Sequence, residues 1–290
     1  MKNEFFSLLT SAATSNSNVG LLTIDLGFNA VEEFAERFPE RFWNLGITEQ
    51  SSMGIASGLA AEGFMPFVYS IANFTTFRAA EQIRNDIAYE NRKVRIVSAG
   101  GGVQYGALGY SHHAIQDYGL IRQFPNVTIC SPTTLSGLEL SMKTLLSSDG
   151  PGYLRLSVAG QDLPNSRDLV PEALDLPEKC ILVTGDLGSL ATSEIDNLLN
   201  RGFELFLVPV WGEPHAQWVA EKLMLARQVV TFETHLAAGG FGSWLLELRQ
   251  DYELEFELRR HVVKNSIIGE VGPREYLLSR HSGYSEAGKV

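Results

Sequence analysis

Cysteine is scarce, with two in 290 residues, and Cys130 and Cys180 lie far apart in no metal-ligand spacing. Both thiols are therefore expected to be buried and reduced in a cytoplasmic protein. Positive charge is also short: 23 Lys and Arg against 34 Asp and Glu leave a formal charge of -11. That balance argues against a nucleic-acid backbone or an anionic membrane as the main partner. No apolar run approaches the length of a membrane span. The first twenty residues carry Lys2, Glu4 and only the short stretch Phe5-Phe6-Ser7-Leu8-Leu9, so no signal peptide is expected. Internal repeats and low-complexity tracts are absent too. What is present is apolar substance, at 44% of side chains, enough for one large or two ordinary domain cores.

Short β-rich runs alternate with amphipathic helical stretches. Gly20 to Ile24, Phe67 to Ser70 and Val94 to Ser98 read as strands, with helices near Val31 to Phe38 and from Thr75 to about Tyr89. This alternation predicts parallel α/β layers. Between Ser157 and Glu178 the pattern lapses into Gly160, Pro164, Pro171 and Pro177, as in an interdomain linker. The division expected is a first domain over 1–160, a linker over 161–178 and a second α/β domain over 179–290. The second domain repeats the alternation from Cys180, through Phe203 to Val210 and Gln228 to Phe232, and closes with a helix around Arg274 to Ser279.

One carboxylate stands out. From Thr48 to Ala61 the only charged group is Glu49, followed by Met53, Ala56, Leu59 and Ala60 at helical spacing and by Gly54 and Gly58, which allow close backbone approach. The helix reads as buried, and a Glu at its start must be paired, capped or protonated, because an isolated buried charge is costly. The plain alternative is a first-turn Glu favoured by the helix dipole, with Thr48 or Asn44 as the cap.

Several segments in order carry a resemblance. Asn44-Leu45-Gly46-Ile47-Thr48-Glu49-Gln50, Gly58 to Phe67, Phe74 to Arg84, Ser111-His112-His113 and Phe124 to Ile129 resemble the pyrimidine-binding domain of the transketolase family, 1-deoxyxylulose-5-phosphate synthases included. Glu233-Thr234-His235 followed by Gly239-Gly240-Phe241-Gly242-Ser243 is similar to the Glu-x-His and Gly-Gly-x-Gly-Ser signature of the transketolase C-terminal domain. The resemblance implies two parallel-sheet α/β domains, the pyrimidine-binding one first and the transketolase C-terminal-like one second. It also implies thiamine diphosphate as cofactor.

The family holds the diphosphate and its metal through Gly-Asp-Gly followed by a downstream Asn, on a domain this chain lacks; here there is only Gly185-Asp186-Leu187. The resemblance therefore implies a split enzyme. Mg²⁺ or Ca²⁺ is held by an N-terminal-half, diphosphate-binding partner subunit, this chain is the C-terminal half, and the assembly is an α2β2 heterotetramer acting on a small sugar. Glu49 matches the family residue whose carboxyl exchanges a proton with ring nitrogen N1′, letting the 4′-amino group take the thiazolium C2 proton; desolvation favours such a shared proton. Phe74 and Phe77, three apart on one helical face, match the aromatic wall around the pyrimidine ring, with Ile71 as a further cofactor-binding candidate beside ordinary core packing. Asp25 matches an acidic position facing the thiazolium, although strand-end Asp residues also form turns. His112 aligns with the His that faces the reacting carbon. His113 falls where relatives carry Gln. Glu233 and His235 are expected to be architectural, at the subunit interface.

Three positions depart from the family. Leu108 stands where an Asp reads a sugar hydroxyl, Gly100 where another His is found, and Val158 where an Arg grips a sugar phosphate. The expected activity is transfer of a two-carbon ketol unit from a ketose-type donor to an aldehyde, on a non-standard sugar. The alternatives are the β subunit of a 2-oxo acid dehydrogenase decarboxylase, and a catalytically silent assembly or regulatory paralogue. The His-containing segment and the Glu-x-His motif favour transketolase over the first. Retention of Glu49, Phe74 and His112 argues against the second.

Overall fold

Twelve strands, in a computed structural model that describes residues 1–157, 163, 165–187 and 191–283, form two sheets. In chain order they are β1 (Val19–Thr23), β2 (Phe42–Asn44), β3 (Met65–Ile71), β4 (Arg95–Ala99), β5 (Thr128–Cys130), β6 (Gly152–Leu156), β7 (Arg167–Asp168), β8 (Lys179–Val183), β9 (Glu204–Leu207), β10 (Val210–Trp211), β11 (Gln228–Leu236) and β12 (Glu257–Val263). The first sheet runs β10-β5-β6-β4-β3-β1-β2 and the second β12-β11-β8-β9-β7. Every pairing is parallel except β10 on β5. The α/β class and the two parallel sheets are as the sequence implies.

Parallel sheets are covered by helices on both faces, so their central strands are apolar throughout rather than alternating. Every residue of β1, β4 and β6 is accordingly buried. On one face of the first sheet Phe5, Phe6 and Leu9 of the helix Lys2–Ser15 pack with Phe67 and Tyr69 of β3. On the other, Met53 and Ala56 of the helix Glu49–Ala61 pack with Leu22 and Val68. Gly152 shows how tight the layer is: a Cβ there would stand 2.2 Å from Leu145 Cδ2, so the Leu145 side chain of the helix Leu135–Ser147 would have to move.

The chain does not divide as simply as its composition suggests. The run Phe203 to Val210 breaks at Pro209, with β9 in the second sheet and β10 crossing back to the edge of the first. Within the stretch 161–178, Arg167–Asp168 pair as β7 beside β9, and Leu169 and Leu176 are buried; residues 161, 162 and 164 lie outside the described set.

The two sheets meet over a buried polar cluster. Arg155 and Asp117, both almost fully buried, form an ion pair with Nε 2.9 Å from Oδ2. Tyr153 donates its hydroxyl to the same carboxylate at 2.6 Å, and Arg155 also donates to the Ala114 and Thr234 carbonyls. The Glu233-x-His235 signature belongs to this junction. Glu233 accepts the backbone N–H of Phe241 at 2.7 Å and of Gly242 at 2.9 Å, at the start of the helix Phe241–Asp251, while His235 stacks on Tyr118 with centroids 5.1 Å apart. Gly239, at φ +73, lies against Gly119, and a Cβ on Gly240 would come within 2.3 Å of Glu233 Oε2. Glu233 and His235 are both wholly buried, so these signature residues hold the junction between the two sheets.

Candidate functional site

The carboxyl ends of parallel strands are where α/β sheets expose loops and bind ligands. The loop after β2 leads into the helix Glu49–Ala61 and places Glu49 as its first residue. The Asn44 side chain organises this approach, because Oδ1 accepts from the backbone N–H of Gly46 at 3.1 Å and of Asp25 at 3.3 Å, tying the ends of β1 and β2 together. Thr48 does not cap the helix; its hydroxyl donates to the Leu45 carbonyl at 2.8 Å and meets Ser52 Oγ at 3.2 Å. Glu49 is 7% exposed, at a helix N-terminus where the unpaired N–H groups favour negative charge.

Its side-chain partner is a residue that no sequence motif singles out. Arg78 Nη1 donates to Glu49 Oε1 at 2.5 Å, and the Arg78 guanidinium carbon lies 3.8 Å from the centroid of the Phe74 ring. The Phe74 ring in turn meets His112 edge-on, centroids 5.1 Å apart. Glu49, Arg78, Phe74 and His112 are thus brought together. Asn73 pins the His112 turn to the helix Ala72–Thr76, donating through Nδ2 to the carbonyls of Ser111 at 3.0 Å and His113 at 3.1 Å. Burial first, then the charges of Arg78 and His113, holds the His112 imidazole below its ordinary pKa. A neutral ring with Nδ1 3.0 Å from Ser111 Oγ is suited to give or accept one proton near neutrality. His113 is buried, its Nε2 3.2 Å from the Gly106 carbonyl.

The other expected positions are less concentrated. Phe77 is 45% exposed on a 3₁₀ turn, Phe77–Ala79, and not on one continuous helix with Phe74. The expected helix from Thr75 to Tyr89 is four pieces: α over Ala72–Thr76, 3₁₀ over Phe77–Ala79, α over Ala80–Gln82 and π over Ile83–Ala88. Thr75 and Thr76 both turn their hydroxyls back on preceding carbonyls, Thr76 to Ala72 at 2.6 Å, which competes with the regular helix ladder. Ile71 ends β3 and is half-buried. Asp25 is exposed at φ +49, a left-handed conformation that Asp tolerates in turns.

The helix Glu49–Ala61 is not buried all round. Gln50, Ser51, Ile55 and Gly58 face outward, and a Cβ added at Gly54 or Gly58 would meet nothing within 4 Å. Beside Glu49 this face opens a shallow pocket of about 440 Å³, lined by Ile47 to Ser51 and Arg78. A larger pocket of about 1070 Å³ lies where the ends of β4 and β6 face β7, among Gly100, Tyr105, Ser136, Ser157 and Asp168. Size favours the second; the buried carboxylate, linked through Arg78 to Phe74 and on to His112, favours the first. Among the described residues no three His, Cys, Asp or Glu side chains could together hold a metal ion. Asp186 of Gly185-Asp186 pairs with Arg274 at 2.6 Å. Both cysteine thiols are buried, with pKa values pushed up to about 12 by desolvation. No helix among the described residues is long and apolar enough to cross a membrane.

The family model for the pyrimidine-binding domain of transketolase matches residues 3–160, more than half the chain. This chain belongs to the transketolase family. It is 28% identical to one of the subunits of the apulose-4-phosphate transketolase of Actinobacillus succinogenes, over 87% of this chain and 83% of that one. It is also 28% identical to the 6-deoxy-6-sulfo-D-fructose transketolase subunit of a Clostridium species, over 96% and 88%. A split-gene transketolase solved as an inactive β4 tetramer superposes with a TM-score of 0.79 at 29% identity, covering 96% of this chain and 92% of that one. Members of this kind are single subunits of split transketolases, and the pyrimidine-binding domain implies thiamine diphosphate as the cofactor.

Proposed function

We propose that this chain is the pyrimidine-binding subunit of a heteromeric transketolase-type transferase that moves a two-carbon ketol unit from a ketose-type donor to an aldehyde, acting on a non-standard sugar. The observation that carries the reading is Glu49, a buried carboxylate at a helix start, beside a pocket that it lines together with Arg78, the residue that lies on the Phe74 ring. A fit for the cofactor's aminopyrimidine is supported by what already sits there: a flat, N–H-donating guanidinium lies on Phe74 and bonds Glu49. Glu49 would hold and return a proton at the ring nitrogen, Phe74 and Ile71 would wall the ring, and Phe77 would close its outer side. Asp25, at the end of β1, would face the cationic ring. His112, as a neutral imidazole, would donate a hydrogen bond to an oxygen of the substrate or accept a proton from it. Bound there, thiamine diphosphate supplies the nucleophilic carbon that accepts the ketol unit.

Diphosphate and metal ligands belong in this reading to a partner subunit, which brings Mg²⁺ or Ca²⁺. The exposed strip of Ile47, Ile55, Gly58 and Phe77 around Glu49 is the face for it, and an α2β2 heterotetramer is the assembly expected. The substrate reading draws support from the two relatives named for apulose 4-phosphate and sulfofructose. The test is ketol transfer by the reconstituted pair with and without thiamine diphosphate, and with Glu49→Gln, which keeps size and removes the exchangeable carboxyl. Turnover is expected to require the cofactor and to fall at least about a thousandfold in the variant. Near-normal proton exchange at the cofactor's C2 in Glu49→Gln would remove Glu49 from the mechanism.

A further inference from the structure

We propose that the Arg78 guanidinium is an intramolecular stand-in for the cofactor's aminopyrimidine, satisfying Glu49 and covering Phe74 in the free subunit and leaving both when the ring binds. The inference rests on the proposed cofactor role of Glu49 and Phe74. Its ground is mutual exclusion. With Cζ 3.8 Å from the Phe74 centroid, the guanidinium is in van der Waals contact with the ring face, and no second flat group can be inserted between them. With Nη1 2.5 Å from Glu49 Oε1, it also occupies one oxygen of the carboxylate that would meet the ring nitrogen, on the side where the guanidinium covers Phe74. A guanidinium and an aminopyrimidine share planarity, N–H donors in the plane and an attraction to aromatic faces, so one site accommodates either.

The two partners differ in freedom. The Glu49 side chain is 8% exposed and fixed at a helix start, whereas that of Arg78 is 50% exposed. Arg78 sits on the irregular 3₁₀ turn Phe77–Ala79, four residues beyond Phe74, from which a long side chain can swing into solvent. Leaving Glu49 unpartnered would strand a buried carboxylate, and leaving Phe74 bare would add to the open apolar surface of the free subunit. Arg78 prevents both. A half-exposed ion pair and a solvent-edged cation–π contact are individually weak, so the stand-in is displaceable.

The experiment is calorimetric titration of thiamine diphosphate, with Mg²⁺, into the assembled wild-type, Arg78→Ala and Arg78→Lys complexes. Removing the internal competitor is expected to tighten binding in Arg78→Ala by roughly two- to tenfold, with Arg78→Lys in between because an ammonium lacks the plane. Equal or weaker binding by Arg78→Ala overturns the inference while leaving the proposed function standing. Absence of binding by the wild-type complex overturns that function, and the inference with it. Should Arg78→Ala fail to assemble, the isolated chains are titrated with thiamine alone while the Phe74 ring protons are followed by NMR. Perturbation at lower thiamine concentration in the variant is expected, and identical curves overturn the proposal.

Discussion

Glu49 is legible in the sequence because it is the one charge in a long apolar stretch, and burial without a reason is expensive. Arg78 is not, because an Arg between Phe77 and Ala79 reads as an ordinary solvated side chain; only the folded chain shows it lying on Phe74. Glu233 illustrates a different limit. Its motif is visible, but the two backbone N–H groups it accepts and its complete burial are consequences of how the two sheets meet. Burial pushes its carboxyl up to about 7, against the opposing hydrogen bonds from Gly242 and Phe241 and the charges of Arg155 and Arg260. A carboxyl whose folded pKa is raised stabilises the fold fully below the unfolded value of about 4.5 and loses that contribution as pH rises through the folded value. His235 runs the other way: burial lowers it to about 4, so its contribution is present above the unfolded value of about 6.5 and is lost as pH falls toward 4. The two neighbours oppose each other across the same window. Glu233→Gln is expected to be less stable than wild type at pH 5 and to recover up to about 2–3 kcal/mol relative to it by pH 8. Urea unfolding of both proteins at several pH values measures this, and a pH-independent difference would show that Glu233 does not titrate in the window.

At the scale of elements, the strands were legible because parallel, doubly covered strands are continuously apolar, as Gly20 to Ile24 and Val94 to Ser98 show. The stretch after β3 was not. Its residues keep a helical apolar period, yet Thr75 and Thr76 spend their hydroxyls on backbone carbonyls and the helix breaks into α, 3₁₀ and π turns. Those breaks set Phe74 and Arg78 beside Glu49. The helix Glu49–Ala61 misled in the opposite direction, because its small residues suggested burial within the chain and instead leave an open outer face. Gly58 discriminates between fold and assembly there. A Cβ at this position would meet no atom within 4 Å, so Gly58→Leu is expected to leave the isolated chain intact or stabilise it by about 0.5–1 kcal/mol through helix propensity. The same change would crowd the face assigned to the partner and weaken assembly by at least about tenfold, the effect of some 1.4 kcal/mol of steric cost. Thermal unfolding of the isolated chain and sedimentation of the mixed subunits separate the two effects, and unimpaired assembly would move the partner to another surface.

For the molecule as a whole, under the proposed function the cofactor-facing half of the site is equipped and the sugar-facing half is stripped of the groups that the family resemblance leads one to expect. Leu108 is 59% exposed on the turn Gly106–Leu108, apolar where an Asp would read a hydroxyl. At Gly100 a Cβ would stand 2.1 Å from the Tyr105 ring, so that ring occupies the space a family His would need, and restoring the His requires moving Tyr105. Val158, at the place of the phosphate-gripping Arg, lies outside the described residues. The sequence showed each replacement; that Tyr105 fills one of them depends on the loop after β4 folding back, which no local pattern reveals. A charge-assisted hydrogen bond and a bidentate clamp each contribute about 1.5–3 kcal/mol, and an active site lacking both should discriminate against ordinary phosphoketoses by roughly two to four orders of magnitude. The apolar Leu108 and the Tyr105 ring would instead accept a carbon skeleton with a hydroxyl missing or a branch added. The reconstituted enzyme is therefore expected to use a deoxy, branched or nucleotide-linked ketose with kcat/KM at least about a hundredfold above that for xylulose 5-phosphate. Steady-state kinetics on both substrates is the measurement. A value for xylulose 5-phosphate of about 10⁴ M⁻¹s⁻¹ or more, in the range of efficient enzymes, would mean that the partner subunit restores the missing contacts and that the site is built for common sugars.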